Sequence, residues 1–171
     1  MLQVINNMLS IRRTTLADID KIDNIFNIAR EFMRSYGNVS QWNGVYPNHD
    51  DVLNDIKNNN AYSVIDDGEV VGYFAFIIGE EKTYNYIENG KWLNDHPYGT
   101  IHRIASNNNV HGVFSVVLDY CLEKMDNVRI DTHQDNIVMR HVIEKHNFDY
   151  CGIIYVEDGS PRLAYQLCKE Y

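Results

Sequence analysis

Apolar residues alternate with polar ones in some stretches of this chain and recur at helical spacing in others, and the changes of period mark out its elements. Residues 11–14 suit a short strand. Thr15-Leu16-Ala17-Asp18 then has the form of a capping box with Asp in place of Glu. Leu16, Ile19, Ile22, Ile25, Phe26, Ala29, Phe32 and Met33 keep one apolar face, predicting a helix that Gly37 ends. Gly44 and Pro47 mark a loop, and a shorter helix carrying Val52, Leu53 and Ile56 starts near Asp50. Two strands, 61–66 and 69–79, flank Asp67-Gly68, a strong hairpin signal that makes them antiparallel.

Between 80 and 99 the periodicity fades, while Tyr84, Tyr86, Trp92 and Tyr98 accumulate among Asn, Gly and Pro. This excursion over the sheet reads either as a substrate lid or as a packing insertion. Residues 100–106 form a β-branched strand. The polar run Ser106 to Asn109 interrupts it, and Gly112 opens a helix carrying Phe114, Val117, Leu118, Cys121, Leu122 and Met125. Another strand follows at 128–132. Asp135 or Asn136 caps a helix with Ile137, Val138, Val142 and Ile143 that ends at Asn147, a residue tolerant of left-handed backbone. Strands at 148–156 and 162–168 are joined by the turn Asp158-Gly159-Ser160-Pro161. The order predicts an α/β (α+β) fold with a mixed, mainly antiparallel sheet of about seven strands flanked by helices, in one domain over 1–171.

Composition narrows the classes of function. No apolar run approaches the roughly 18 residues that a membrane span requires, and residues 1–10 lack the basic start and long apolar core of a signal peptide. The expectation is a cytoplasmic protein with no membrane partner. Three cysteines, an odd number without CxxC spacing, point to reduced thiols. A net charge of −9 without a Lys/Arg stripe argues against a nucleic-acid partner. An acidic surface could draw in a cationic substrate such as an amine, although the ordinary reading of such a surface is solubility. The seven histidines show no metal-ligand spacing, so no metal is expected.

The strand–polar loop–glycine–helix unit around Gly112 is the candidate for chemistry carried by backbone. A helix start exposes N–H groups without intrahelical partners and about half a positive charge, so it attracts phosphate without lysines. Neither GxxxxGK[ST] nor GxGxxG occurs. The stretch instead resembles the acyl-CoA loop of the GNAT (general N-acetyltransferase) superfamily, Q/R-x-x-G-x-G/A. Asn109 stands for the first position, Gly112 for the first glycine, and Phe114 departs from the usual small residue. Asn136, Met139 and His146-Asn147-Phe148 resemble the superfamily's N-x-x-A…G-F signature, with Asn147 for the glycine. The element order is similar over nearly the whole chain. The phrases WNGVYP (42–47), RIDTHQDN (129–136) and DGSPR (158–162) look like an uncharacterised bacterial branch.

The resemblance implies an acetyl-CoA-dependent N-acetyltransferase that moves an acetyl group to a primary amine of a small molecule or peptide, by direct attack in a ternary complex. It places the cofactor on the main chain of Asn109, Val110, His111, Gly112, Val113 and Phe114, on Ile104 and on Asn136, and it is compatible with a homodimer. A general base is needed, because an alkylammonium of pKa near 10.4 is neutral about once in 2,500 molecules at pH 7. In the superfamily the base often comes from the strand before the loop, where alternate residues Tyr98, Thr100, His102 and Ile104 would share a face and Arg103 would point away. His102 and Tyr98 are the catalytic candidates. Trp42, Tyr46, Trp92, Asp131 and His133 are the substrate-side candidates. The tyrosine that many relatives use as acid falls at Ile143, leaving Tyr150, Tyr155 or Tyr98 to substitute. A non-enzymatic acyl-CoA-binding sensor or partner module is the alternative reading.

Overall fold

The structure, a computed structural model, describes residues 8–169, so most of the 1–10 stretch lies outside the described residues. The elements follow the order β1 (Ser10–Arg13), α1 (Ile19–Ser35), α2 (His49–Lys57), β2 (Ala61–Asp66), β3 (Glu69–Ile78), β4 (Gly99–Ser106), α3 (Val113–Lys124), β5 (Asn127–Thr132), α4 (Ile137–Lys145), β6 (Asp149–Tyr155) and β7 (Pro161–Cys168). Short 3-10 turns occupy Leu16–Asp18 and Lys82–Tyr84. One sheet runs β1-β2-β3-β4-β5-β7-β6 and is antiparallel at every junction except β4–β5. The expected mixed sheet with flanking helices is therefore present.

Local signals set the boundaries. The Thr15 N–H donates to Asp18 Oδ2 at 2.8 Å, closing the capping box on the turn that leads into α1. Asn48 caps α2 by accepting from the Asp50 N–H at 2.8 Å. Of the two candidate caps for α4, Asn136 takes the role, its Oδ1 accepting from the Met139 N–H at 3.2 Å. Asp67 and Gly68 turn the β2–β3 hairpin at φ 47° and 78°, and Asn147 closes α4 at φ 67°. Each face of the sheet carries its own core. Ile22, Phe26 and Val52 of α1 and α2 meet Tyr73 on one side, while Val117 and Ile143 of α3 and α4 meet Phe74 and Ile130 on the other.

Two irregularities shape the middle of the sheet. Tyr73 pairs with Ala105 but Ala75 pairs with His102, so Arg103 and Ile104 together face Phe74 in a bulge, with Arg103 at φ 52°. The extra residue breaks the alternation expected for β4. Ile101 and Ile104 both contribute to the α3-side core, whereas Ala105 joins the α1-side core. Arg103 reaches Asp55 of α2. The second irregularity is the parallel junction, where β4 and β5 pair only at Gly99–Val128 and Thr100–Arg129 and then splay apart.

The aromatic excursion packs on the sheet over much of its length, while Glu81 and Thr83 at its start line the cleft described below. Glu88 bridges to Ile153 of β6, the Leu93 N–H donates to Gln166 Oε1 at 2.9 Å, and the Arg129 guanidinium lies between the rings of Trp92 (4.1 Å) and Tyr98 (3.9 Å). No helix among the described residues is long and apolar enough to cross a membrane. A Cβ on Gly90 would sit 1.8 Å from the Cys151 carbonyl oxygen. Gly90→Ala is therefore expected to cost about 1–3 kcal/mol, the usual range for overpacking, and to lower the urea midpoint without changing the slope of the transition.

Candidate functional site

The splay opens a cleft of about 520 Å³. Its walls are His102, Arg103 and Ile104 of β4, Asp131 and Thr132 of β5, Asn136 and Met139 at the start of α4, and Trp42 and Tyr46 of the α1–α2 connection. Backbone groups at the diverging edges of β4 and β5 have lost their cross-strand partners, so a linear ligand carrying amides can supply them.

At the end of β4 the chain passes through an exposed loop into α3. Gly112 occupies the Ncap at φ 82°, which a side chain would adopt only under strain, and no side chain caps the helix. Among the described residues no acceptor meets the N–H groups of Val110, His111, Gly112, Val113, Phe114 or Ser115. Asn109 and His111 are exposed; the Asn109 N–H donates to Asn107 Oδ1 at 3.0 Å. Phe114 does not plug the loop. Its ring is buried, 4.9 Å from the His146 ring and 6.2 Å from Phe148. These free donors at a twelve-residue helix suit a diphosphate.

His102 Nε2 and Glu81 Oε2 lie 3.2 Å apart, both partly buried. Glu81 is held from several sides: its Oε1 accepts from the N–H and the hydroxyl of Thr83, and its own N–H donates to Tyr98 Oη at 2.8 Å. The His102 hydrogen bond, helped by its charge and by Thr83 and opposed by burial, pulls the Glu81 carboxyl down to about 2. A carboxylate fixed on one ring nitrogen orients the imidazole and fixes its tautomer.

A second cluster adjoins it. Arg103 donates to Asp55 through Nε (2.9 Å) and Nη2 (2.5 Å), and the Tyr73 hydroxyl donates to Asp55 Oδ2 at 2.6 Å. Asp55 is 1% exposed, so this pair is a buried, bidentate one. Arg103 Nη1 also donates to Tyr46 Oη at 3.2 Å. Burial opposes the Arg103 charge, but Tyr46 and Asp55 outweigh it and leave the guanidinium more firmly protonated than usual. Burial raises the Tyr46 hydroxyl and Arg103 opposes that rise. Across the cleft the buried Tyr84 hydroxyl donates to Asp131 Oδ2 at 2.6 Å.

No protein-family profile and no curated protein sequence matches the chain. Solved structures do. The chain is similar to a GNAT-family acetyltransferase of Streptococcus agalactiae at 37% identity and TM-score 0.87, covering 97% of this chain and 100% of that one. The chain belongs to the GNAT family. Two more distant GNAT-like folds are a GNAT-family acetyltransferase of Bacillus cereus (18% identity, TM-score 0.62, 96% and 99% covered) and a ribosomal-protein-alanine N-acetyltransferase of Brucella melitensis (16%, 0.63, 93% and 99%).

Within this GNAT cleft the residues singled out from sequence are distributed unevenly. His102, Ile104, Trp42, Tyr46, Asp131 and Asn136 line it. Asn136 is 2% exposed, accepting from Tyr36 Oη (2.7 Å) and donating to Gln41 Oε1 (2.9 Å) besides capping α4. Tyr98, Trp92 and His133 are not among the lining residues. Tyr98 and Trp92 stack around Arg129, and the Trp92 Nε1–H donates to the Tyr84 carbonyl at 2.8 Å. His133 Nδ1 accepts from the Asp135 N–H at 3.1 Å, and burial, with Arg162 nearby, holds the ring below its ordinary pKa. Ile143, the position that the resemblance matches to the family's tyrosine, is fully buried in the α3-side core.

Sequence reading missed Glu81, Asp55 and the contact of Arg103 with Tyr46. Glu81 lies in a stretch without periodicity, but its position two residues past Gly79, where β3 has ended, is a signal that a strand-end carboxylate can supply. Two measurements check these clusters. Asp55→Ala strands the Arg103 charge and is expected to cost about 3–5 kcal/mol of stability, read by denaturant unfolding. Because the folded Glu81 carboxyl lies at about 2, below its ordinary 4.5, its contribution is complete above the unfolded value and is lost as pH falls toward 2. The stability gap between wild type and Glu81→Gln should therefore close between pH 5 and pH 2, against a constant gap if the pair is not formed.

Proposed function

We propose that the chain catalyses transfer of an acetyl group from acetyl-CoA to a primary amine, on a small molecule or a peptide, by direct attack within a ternary complex. The observation that carries this reading is the placement of groups along one strand: β4 brings the His102–Glu81 pair to the cleft and ends in the loop that leads to the uncapped start of α3. The main chain from Val110 to Ser115 would hold the diphosphate of CoA. Ile104, Met139 and the Asn136 side chain would flank its pantetheine arm. Acetyl-CoA supplies the activated acyl group, and the residues of the chain supply position and proton transfer.

His102 is assigned as general base. Its Nε2 faces Glu81, which leaves Nδ1 as the acceptor for the ammonium proton and lets the carboxylate stabilise the imidazolium that results. The carboxylates support a cationic acceptor. Asp51, Glu81, Asp131, Glu157 and Asp158 line the cleft against Arg103 and Arg162, and Arg103 is already paired with Asp55. In a cleft of lowered dielectric these groups concentrate ammonium ions more effectively than they would in water. Trp42 offers an apolar wall for the carbon skeleton of the acceptor.

Thiol release from acetyl-CoA with a panel of polyamines, amino acids, aminoglycosides and peptides tests the proposal. Turnover with an amine that falls about 10²- to 10⁴-fold in His102→Ala, with CoA affinity retained, is the expected result. Tight CoA binding without turnover across the panel would instead identify a non-enzymatic CoA-binding module.

A further inference from the structure

Breaking the carbon–sulfur bond of a thioester leaves a thiolate, and something must supply its proton. The GNAT tyrosine position holds Ile143, buried in the core, and the other tyrosines weighed from sequence are elsewhere. Tyr150 is 53% exposed with its ring against Tyr165, Tyr155 donates its hydroxyl to Glu88, and Tyr98 accepts from the Glu81 N–H. Among the described residues, Tyr46 is the only tyrosine that lines the cleft.

The hydrogen bonding of Tyr46 leaves its proton available. A guanidinium has donors only, so in the 3.2 Å contact Arg103 Nη1 donates and Tyr46 Oη accepts. Among the described residues no acceptor takes the Tyr46 O–H. Arg103 is itself immobilised by its two bonds to Asp55 and by the bulge that brings it to the cleft side of β4. The hydroxyl thus has a fixed positive charge behind it and a free proton in front.

Resting on the acetyl-transfer reading of the cleft, we propose that Tyr46, backed by Arg103, is the catalytic acid that protonates the sulfur of CoA as it leaves. As the tetrahedral adduct collapses, the C–S bond breaks and its electron pair goes to sulfur. The Tyr46 O–H proton passes to that sulfur, giving CoA thiol and a phenolate held by Arg103. His102 passes the ammonium proton to solvent and then takes the second nitrogen proton from the adduct, and that proton, by way of solvent, restores the phenol, so the sum is ammonium plus thioester giving amide, thiol and one proton. The groups facing the hydroxyl are Arg103 from β4, Asp51 from α2 and Asp131 from β5. The carboxylates and burial keep the phenol protonated at neutral pH, and the same desolvation makes the departing thiolate more basic.

The test reads the thiol as well as the rate. The thiol of bound CoA is titrated by its thiolate absorbance in wild type and in Tyr46→Phe, alongside CoA affinity by calorimetry and kcat with the best amine. A phenol donating to sulfur stabilises the thiolate, so Tyr46→Phe should raise the bound-thiol pKa by about one unit, lower kcat about 10²-fold, and leave CoA affinity within about threefold. An unmoved thiol pKa, or kcat within threefold of wild type, would overturn the assignment even if the enzyme is active. Absence of wild-type turnover on every amine would instead remove the transfer reading and this assignment with it.

Discussion

The arrangement depends on an interruption: β4 and β5 form two residue pairs and then part. Every other junction of the sheet is paired along most of its length, so the parting is confined to the place where the chain also ends a strand in a loop and starts α3 without a cap. Unpaired backbone in a partly buried cleft is unfavourable unless a ligand or water completes it. Here the two sets of incomplete groups, the β4 edge and the α3 amides, follow one another along the chain through the loop after Ser106.

The ion pair between Arg103 and Asp55 holds the other side of that path. A non-glycine residue at φ 52° in a strand is uncommon, and it persists when its surroundings determine it. Asp55, almost wholly buried and also bonded to Tyr73, is that determinant. Through it α2 fixes the bulge, the bulge turns His102 toward Glu81 and Arg103 toward Tyr46, and the α1–α2 connection becomes part of the same wall. Fold stability and site geometry therefore share residues in this chain.

Most of the architecture was legible because its signals are local. The apolar stripes of α1 and α3, the Asp67-Gly68 turn, the Asn136 cap and the left-handed Asn147 each report on a few neighbouring residues. Of the candidate site, local pattern singled out Gly112, which sits at the start of α3, and His102, which lines the cleft. A strict period of two hid the bulge at Arg103 and Ile104. The His102–Glu81 pair spans 21 positions across an aperiodic stretch, and no local pattern links its members. Trp92 drew attention as a substrate contact and Tyr98 as a catalytic residue, yet both are arranged around the Arg129 guanidinium.

The central claim is that the incomplete backbone of β4 and the α3 N-terminus receives CoA. Amide hydrogen exchange with and without saturating CoA tests it most directly. The account predicts slowing of about tenfold or more for amides at 101–106 and 110–115, with β1 and β2 unchanged. Exchange that remains the same at both segments while CoA is demonstrably bound would contradict it.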